Sequence, residues 1–330
     1  MKVGELGEFG LIARIEDWMR AAGNGSGENE LRLGIGDDCA VWQSEGLQLA
    51  TVDALVEGVH FTRALTDWAS LGWKALAVNL SDIAAMGGEP RYGLVSLSLP
   101  SDTELTDVES FYSGMLELAV MTGTTLVGGN ITAAPQFVVG VTVIGAAADG
   151  KILTRSGART GELVAVTGYP GTASAGLALL KGGQTVSSEV GETVYRAWRR
   201  PMPRLAEGRA LLGAGVSAAI DISDGILGDL GHICARSGVG AVLRAVDLPV
   251  ASGVGEIFGE RTVALALGGG EDYELLFTAS QELMAFIRET LACPVTVIGE
   301  ITAGDGIIIV DDEGWEIDAP ARGWEHFQGD

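Results

Sequence analysis

Ala219-Ile220-Asp221-Ile222-Ser223-Asp224-Gly225-Ile226-Leu227-Gly228-Asp229-Leu230 is the stretch from which the fold is read. An aliphatic run ends in a Ser-Asp-Gly turn and gives way to apolar residues at helical spacing, which predicts strand, turn and helix in that order. Ser223 or Asp224 can cap the helix, and the same carboxylates and hydroxyl stand at a helix start. The alternation recurs along the chain, punctuated by 49 glycines. Predicted strands cover 48–52, 92–99, 137–144, 163–167, 218–222 and 274–278. Predicted helices cover 67–86, 104–121, 204–212, 225–237 and 281–291, and apolar residues at helical spacing (Leu6, Phe9, Ile12, Ile15, Met19) mark the N-terminus. The class is α/β, or α+β, rather than a bundle.

A chain of 330 residues with 47% hydrophobic and 20% charged residues can bury more than one core. A turn signal at Ala148-Asp149-Gly150-Lys151 divides it into 1–148 and 149–330. Residues 182–192 are polar and read as a surface loop. Twenty-one basic against 44 acidic residues leave a net charge of −23, which disfavours nucleic acid and anionic membrane as partners. An anionic substrate then calls for divalent cations between clustered carboxylates and its phosphates. Cys39, Cys234 and Cys293 have no CxxC spacing, so no disulfide framework or structural zinc site is expected. With no signal-like segment and no run of membrane-span length, the reading is cytoplasmic.

Six segments at turns and element ends stand out, five of them acidic. They are Gly34-Ile35-Gly36-Asp37-Asp38; Thr51-Val52-Asp53, where a strand delivers Asp53 into a loop before His60; Asn79-Leu80-Ser81-Asp82 near the end of an apolar helix; the strand and paired glycines of Leu126-Val127-Gly128-Gly129-Asn130; the stretch quoted above; and Gly268-Gly269-Gly270-Glu271-Asp272-Tyr273-Glu274. Each alone reads equally as a turn, a cap or a solvated face. Asp82 opposes the helix dipole and needs solvent or a cation. Together they suggest a hard-cation cage of carboxylate oxygens, suited to Mg²⁺ and not to zinc. GxxxxGK[ST], a full dinucleotide fingerprint and GxSxG are all missing.

The ordered set GIGDDCA, TVDALVEGVHF, NLSDIAAMGG, VGGN, LTRSGA, IDISDGILGDLGHI, GGGEDYELLFT and GWEHF resembles the thiamine-monophosphate kinase family over nearly the whole chain. NLSDIAAMGG and GGEDYEL are shared with its wider superfamily, which includes aminoimidazole ribonucleotide synthetase. The resemblance implies ATP-dependent phosphorylation of thiamine monophosphate to thiamine diphosphate, assisted by several Mg²⁺ ions. It implies two domains of the aminoimidazole ribonucleotide synthetase-like architecture: an N-terminal ATP-, Mg- and dimer-forming domain whose sheet makes a barrel with its copy in a homodimer, and a C-terminal α/β domain closing over the substrate. By motif position Asp38, Thr51, Asp53, Asp82, Asn130, Asp221 and Asp224 would ligate magnesium. Gly129, Asn130, Arg155, Ser223 and Tyr112 would meet ATP, and His60, Glu271 and Trp324 would line the thiamine phosphate site. No covalent nucleophile or general base is expected, because the acceptor is an ionised phosphate oxygen suited to in-line attack. Asn130 stands where the family often has Asp, and keeps an oxygen while losing a charge. The competing readings are another ATP-dependent enzyme of the superfamily, or a non-catalytic thiamine phosphate or nucleotide sensor.

Overall fold

Alternating strand and helix signals resolve into two compact units, one of residues Met1–Ile83 and Gly88–Gly150, the other of Ala84–Gly87 and Lys151–Asp330. The computed structural model describes residues 1–24, 31–33, 40–183 and 186–318.

The first unit contains α1 (Val3–Ala21), the short strands β1 (Leu31–Leu33) and β2 (Val41–Trp42), β3 (Gln48–Val56), α2 (Trp68–Ala85), β4 (Glu89–Leu99), α3 (Leu105–Thr122), β5 (Thr125–Ala133) and β6 (Val138–Ala146). Its four-stranded sheet has the order β3-β6-β4-β5, with only β4 and β5 parallel. Strand β6 alternates strictly, burying Val139, Val141 and Val143, the signature of a sheet packed more tightly on one face. Leu71, Leu76, Leu80 and Ile83 of α2 and Phe111, Met115 and Leu118 of α3 are fully or almost fully buried. Helix α2 is buried around most of its circumference, as its apolar sequence requires. It starts where Asp67 Oδ1 accepts the Ser70 N–H at 2.8 Å, an N-terminal capping bond.

Two sequence boundaries move. Strand β3 continues to Val56, because β6 supplies a partner for each residue from Gln48 through Val56, so Asp53 lies inside the strand opposite Val141 rather than in a loop. The glycine pair 128–129 lies within β5, not in a turn. At Gly129 an added Cβ would stand 1.9 Å from the Val95 carbonyl oxygen. The glycine is required by the neighbouring strand, whose register slips beside it between Gly93 and Leu94.

The second unit runs β7 (Leu163–Thr167), α4 (Thr172–Gly182), α5 (Ser188–Arg199), α6 (Leu205–Ala214), β8 (Ala218–Asp221), α7 (Ile226–Ser237), β9 (Gly240–Arg244), α8 (Val254–Phe258), α9 (Arg261–Gly268), β10 (Leu275–Ala279), α10 (Gln281–Thr290), β11 (Val295–Thr302), β12 (Ile307–Val310) and β13 (Glu316–Ile317). Its seven-stranded sheet has the order β13-β12-β9-β11-β7-β10-β8 and is antiparallel except for β12 with β9. Ile226, Leu230, Ile233 and Cys234 form the buried stripe of α7 and join Val164, Val166 and Leu276 in one core. Ala165, Phe277, Met284 and Ile287 belong to a second core, so alternate residues of β7 and β10 serve different cores. The polar stretch 182–192, expected as a loop, already carries the start of α5, where Ser187 accepts the Val190 N–H as a cap.

Candidate active site

In the first unit the edge strand β3 faces the C-terminal half of α2. Thr51 and Asp53 share a face of β3, being two residues apart. The Thr51 hydroxyl donates to Oδ2 of Asp82, and the Asp53 backbone N–H donates to Oδ1 of Asn79 at 2.9 Å. Asn79 is fully buried and donates its own amide to the Ala75 carbonyl at 3.1 Å. Strand and helix are thereby locked where they carry Thr51, Asp53 and Asp82. Asp53 is exposed and Asp82 half-buried, so the Asp82 carboxylate at the unfavourable end of the helix dipole has a hydroxyl donor beside it.

His60 accepts the Val56 N–H at Nδ1, 3.0 Å away, which closes the turn after β3 and fixes the imidazole. Asn130 is exposed on β5, its amide donating to the Thr132 hydroxyl at 2.9 Å, and Gly129 precedes it. Strands β3 and β5 are the two outer strands of the sheet. Tyr112 is 4% exposed, tilted against Trp18 and edge-on to Phe111, and burial raises its phenol pKa. Its ring packs in the interior of the first unit. Asp38 and Trp324 lie outside the described residues.

In the second unit β8 delivers Asp221, 4% exposed, directly opposite Leu275 at the start of β10. The turns on either side are thereby neighbours. Glu271 N–H donates to the Ser223 carbonyl and Tyr273 N–H to the Ile222 carbonyl, each at 2.8 Å. At Gly270 a Cβ would lie 2.4 Å from the Ser223 carbonyl oxygen, so the glycine run permits this approach. Neither Ser223 nor Asp224 caps α7, as the sequence allowed; Gly225 holds the N-cap position. Asp229 instead reaches back, and its Oδ2 accepts the Ser223 and Asp224 N–H groups at 3.1 Å each. Burial, together with the charges of Asp221 and Asp224, pushes the Asp229 carboxyl up to about 8. Arg155 is exposed; its carbonyl accepts from the Ser237 hydroxyl at 3.5 Å.

The three acids that follow the glycine run have separate partners. Glu274 forms a two-bond pair with Arg204, both contacts 2.6 Å, and accepts the Thr167 hydroxyl at 2.6 Å. Asp272 accepts the Gly171 and Ala173 N–H groups at the start of α4, at 2.6 and 2.9 Å. Burial pushes its carboxyl up to about 8. Glu271 accepts the indole N–H of buried Trp198 at 2.6 Å. Asn79, Asp229 and Trp198 were absent from the residues selected in the sequence. For Asp229 the signal was present, a carboxylate in the first turn after Ser-Asp-Gly; for Trp198 there was none.

Among the described residues, no three His, Cys, Asp or Glu side chains gather closely enough to hold a metal ion by themselves. Hydroxyl and carboxylate oxygens in pairs are nonetheless a donor set suited to a hard cation that retains much of its water. No helix among the described residues is long and apolar enough to cross a membrane.

Residues 36–147 match the N-terminal domain, and 159–312 the C-terminal domain, of AIR synthase related proteins. The thiamine-monophosphate kinase of Escherichia coli K12 is 38% identical over 330 residues, covering 97% of this chain and 98% of the relative. Among solved structures, the thiamine-monophosphate kinase of Stenotrophomonas maltophilia superimposes with a TM-score of 0.82 at 37% identity, covering 92% of this chain and 96% of that one. AaThiL complexed with AMPPCP and TMP superimposes with a TM-score of 0.76 at 32% identity, covering 99% of both. The two-domain α/β architecture is that of the AIR synthase-like fold, and the chain belongs to the thiamine-monophosphate kinase family.

Proposed function

We propose that this chain transfers the γ-phosphoryl group of ATP to thiamine monophosphate, giving thiamine diphosphate and ADP. The observation that carries the reading is similarity over nearly the full length to thiamine-monophosphate kinases, one solved with AMPPCP and TMP, in a chain that retains Asp53, Asp82, Asp221, Asp224 and Glu271. Residues 1–148 would bind ATP and metal and pair with a second copy; residues 149–330 would supply the substrate carboxylate and close over the substrate. A cytoplasmic homodimer fits this reading.

Asp38, Thr51, Asp53, Asp82, Asn130, Asp221 and Asp224 are the oxygen donors that would hold Mg²⁺. Bound there, Mg²⁺ supplies charge neutralisation for the phosphates of donor and acceptor. The chain's own task is positioning. Asn79 holds the Asp53 backbone and Thr51 the Asp82 carboxylate, Asp229 shapes the turn bearing Ser223 and Asp224, and Gly129 and Arg155 contact ATP. His60, Glu271 and Trp324 hold the thiamine phosphate, with Glu271 offsetting the cationic thiazolium. No general base is needed, because the attacking phosphate oxygen is already ionised.

The test is ADP release with thiamine monophosphate, unphosphorylated thiamine and an aminoimidazole precursor offered separately. Turnover is expected with thiamine monophosphate and Mg²⁺, and its loss in excess EDTA. Equal rates with thiamine, or turnover only with the aminoimidazole precursor, overturn the reading, and binding without turnover indicates a sensor.

A further inference from the structure

Trp198 lies near the end of α5, is 2% exposed, and donates its indole N–H to Oε2 of Glu271, 73 residues away, at 2.6 Å. Indole has a single donor and no acceptor, so this bond fixes one carboxylate oxygen and adds no charge of its own. The two acids that follow are held by other means, Glu274 by a guanidinium and Asp272 by a helix start. The backbone of Glu271 is held as firmly as its side chain. Glu271 and Tyr273 have φ of 68° and 52°, a region uncommon for residues other than glycine and maintained where surroundings over-determine it. The bonds to the Ser223 and Ile222 carbonyls provide that constraint.

We infer that Trp198 is a positioning residue for the thiamine half of the substrate, fixing the Glu271 carboxylate so that it meets the cationic ring already oriented. This rests on the proposed kinase function, with Glu271 facing thiamine. Orientation fixed before binding removes an ordering cost from binding, so the effect belongs to the affinity for thiamine monophosphate. ATP affinity and the transfer step do not depend on it.

The experiment is steady-state kinetics of the full-length enzyme as wild type, Trp198→Phe, Glu271→Gln and the double variant. Phe retains an aromatic ring and removes the donor. Trp198→Phe is expected to raise KM for thiamine monophosphate about tenfold, the scale of one lost charge-assisted hydrogen bond. KM for ATP and kcat should stay within about twofold, and the double variant should be no worse than Glu271→Gln alone. An unchanged KM for thiamine monophosphate, an equal rise for both substrates, or additive losses overturns the inference.

Should the Trp198→Phe variant fail to fold, ¹⁵N spectra of the wild type decide. The indole N–H resonance displaced by Glu271→Gln is expected to move when thiamine monophosphate is added; one insensitive to substrate overturns the inference. A wild type that does not phosphorylate thiamine monophosphate refutes the kinase reading itself, an outcome separate from a working kinase indifferent to Trp198.

Discussion

Asn79 joins the two carboxylate-bearing elements of the first unit through a single buried amide. Asn79→Ala removes the acceptor of the Asp53 N–H, and because Asp53 is exposed to water the loss is that of one ordinary hydrogen bond, about 0.5–1.5 kcal/mol. Thermal unfolding should record that loss. ADP release at a temperature where both proteins are folded should fall further, because β3 no longer holds Thr51 and Asp53 in place. The carboxylates themselves were legible in the sequence as Asp or Glu beside glycine turns. Their supports were not: Asn79 acts on a residue 26 positions earlier and Trp198 on one 73 positions later, separations set by packing. The packing of Tyr112 was equally illegible, since its ring partners Trp18 and Phe111 include one from a distant helix.

Elements were legible where local pattern and tertiary demand agree. The run Leu163–Thr167 is strand β7 with the boundaries expected from its aliphatic sequence. Strand β5 reads poorly because Gly128-Gly129 has low strand propensity, and the reason for glycine there lies on β4. Gly129→Ala places a methyl group against the Val95 carbonyl, so the strands must part or the register shift, at a cost of about 1–3 kcal/mol or more. A lower Tm is expected, with Gly123→Ala unsuitable as a control because Gly123 itself has φ of 71°. Gly213→Ala, within α6 and with open space at the added Cβ, should leave Tm unchanged or raise it slightly.

At the scale of the molecule, the charge of −23 was legible and turned attention to cations, while the burial of particular carboxyls was not. Asp272 has its carboxyl raised from 3.8 to about 8 by burial. Between those values the folded chain keeps a proton that the unfolded chain has released. Its stabilisation is therefore complete below about pH 4 and lost as pH rises through about 8. In metal-free buffer, the Tm of the wild type should fall relative to Asp272→Asn across that interval, as followed by thermal melts. Among the described residues, both margins of the sheet β3-β6-β4-β5 present backbone with no neighbouring strand, which is a template for another strand. Thr51 with Asp53 lies on one margin, while Gly129 with Asn130 lies on the other. In the proposed homodimer, closing those margins and bringing the scattered donors into register are one event. Activity per molecule then becomes a function of enzyme concentration, and should decline on dilution below the dimer dissociation constant before any unfolding signal changes.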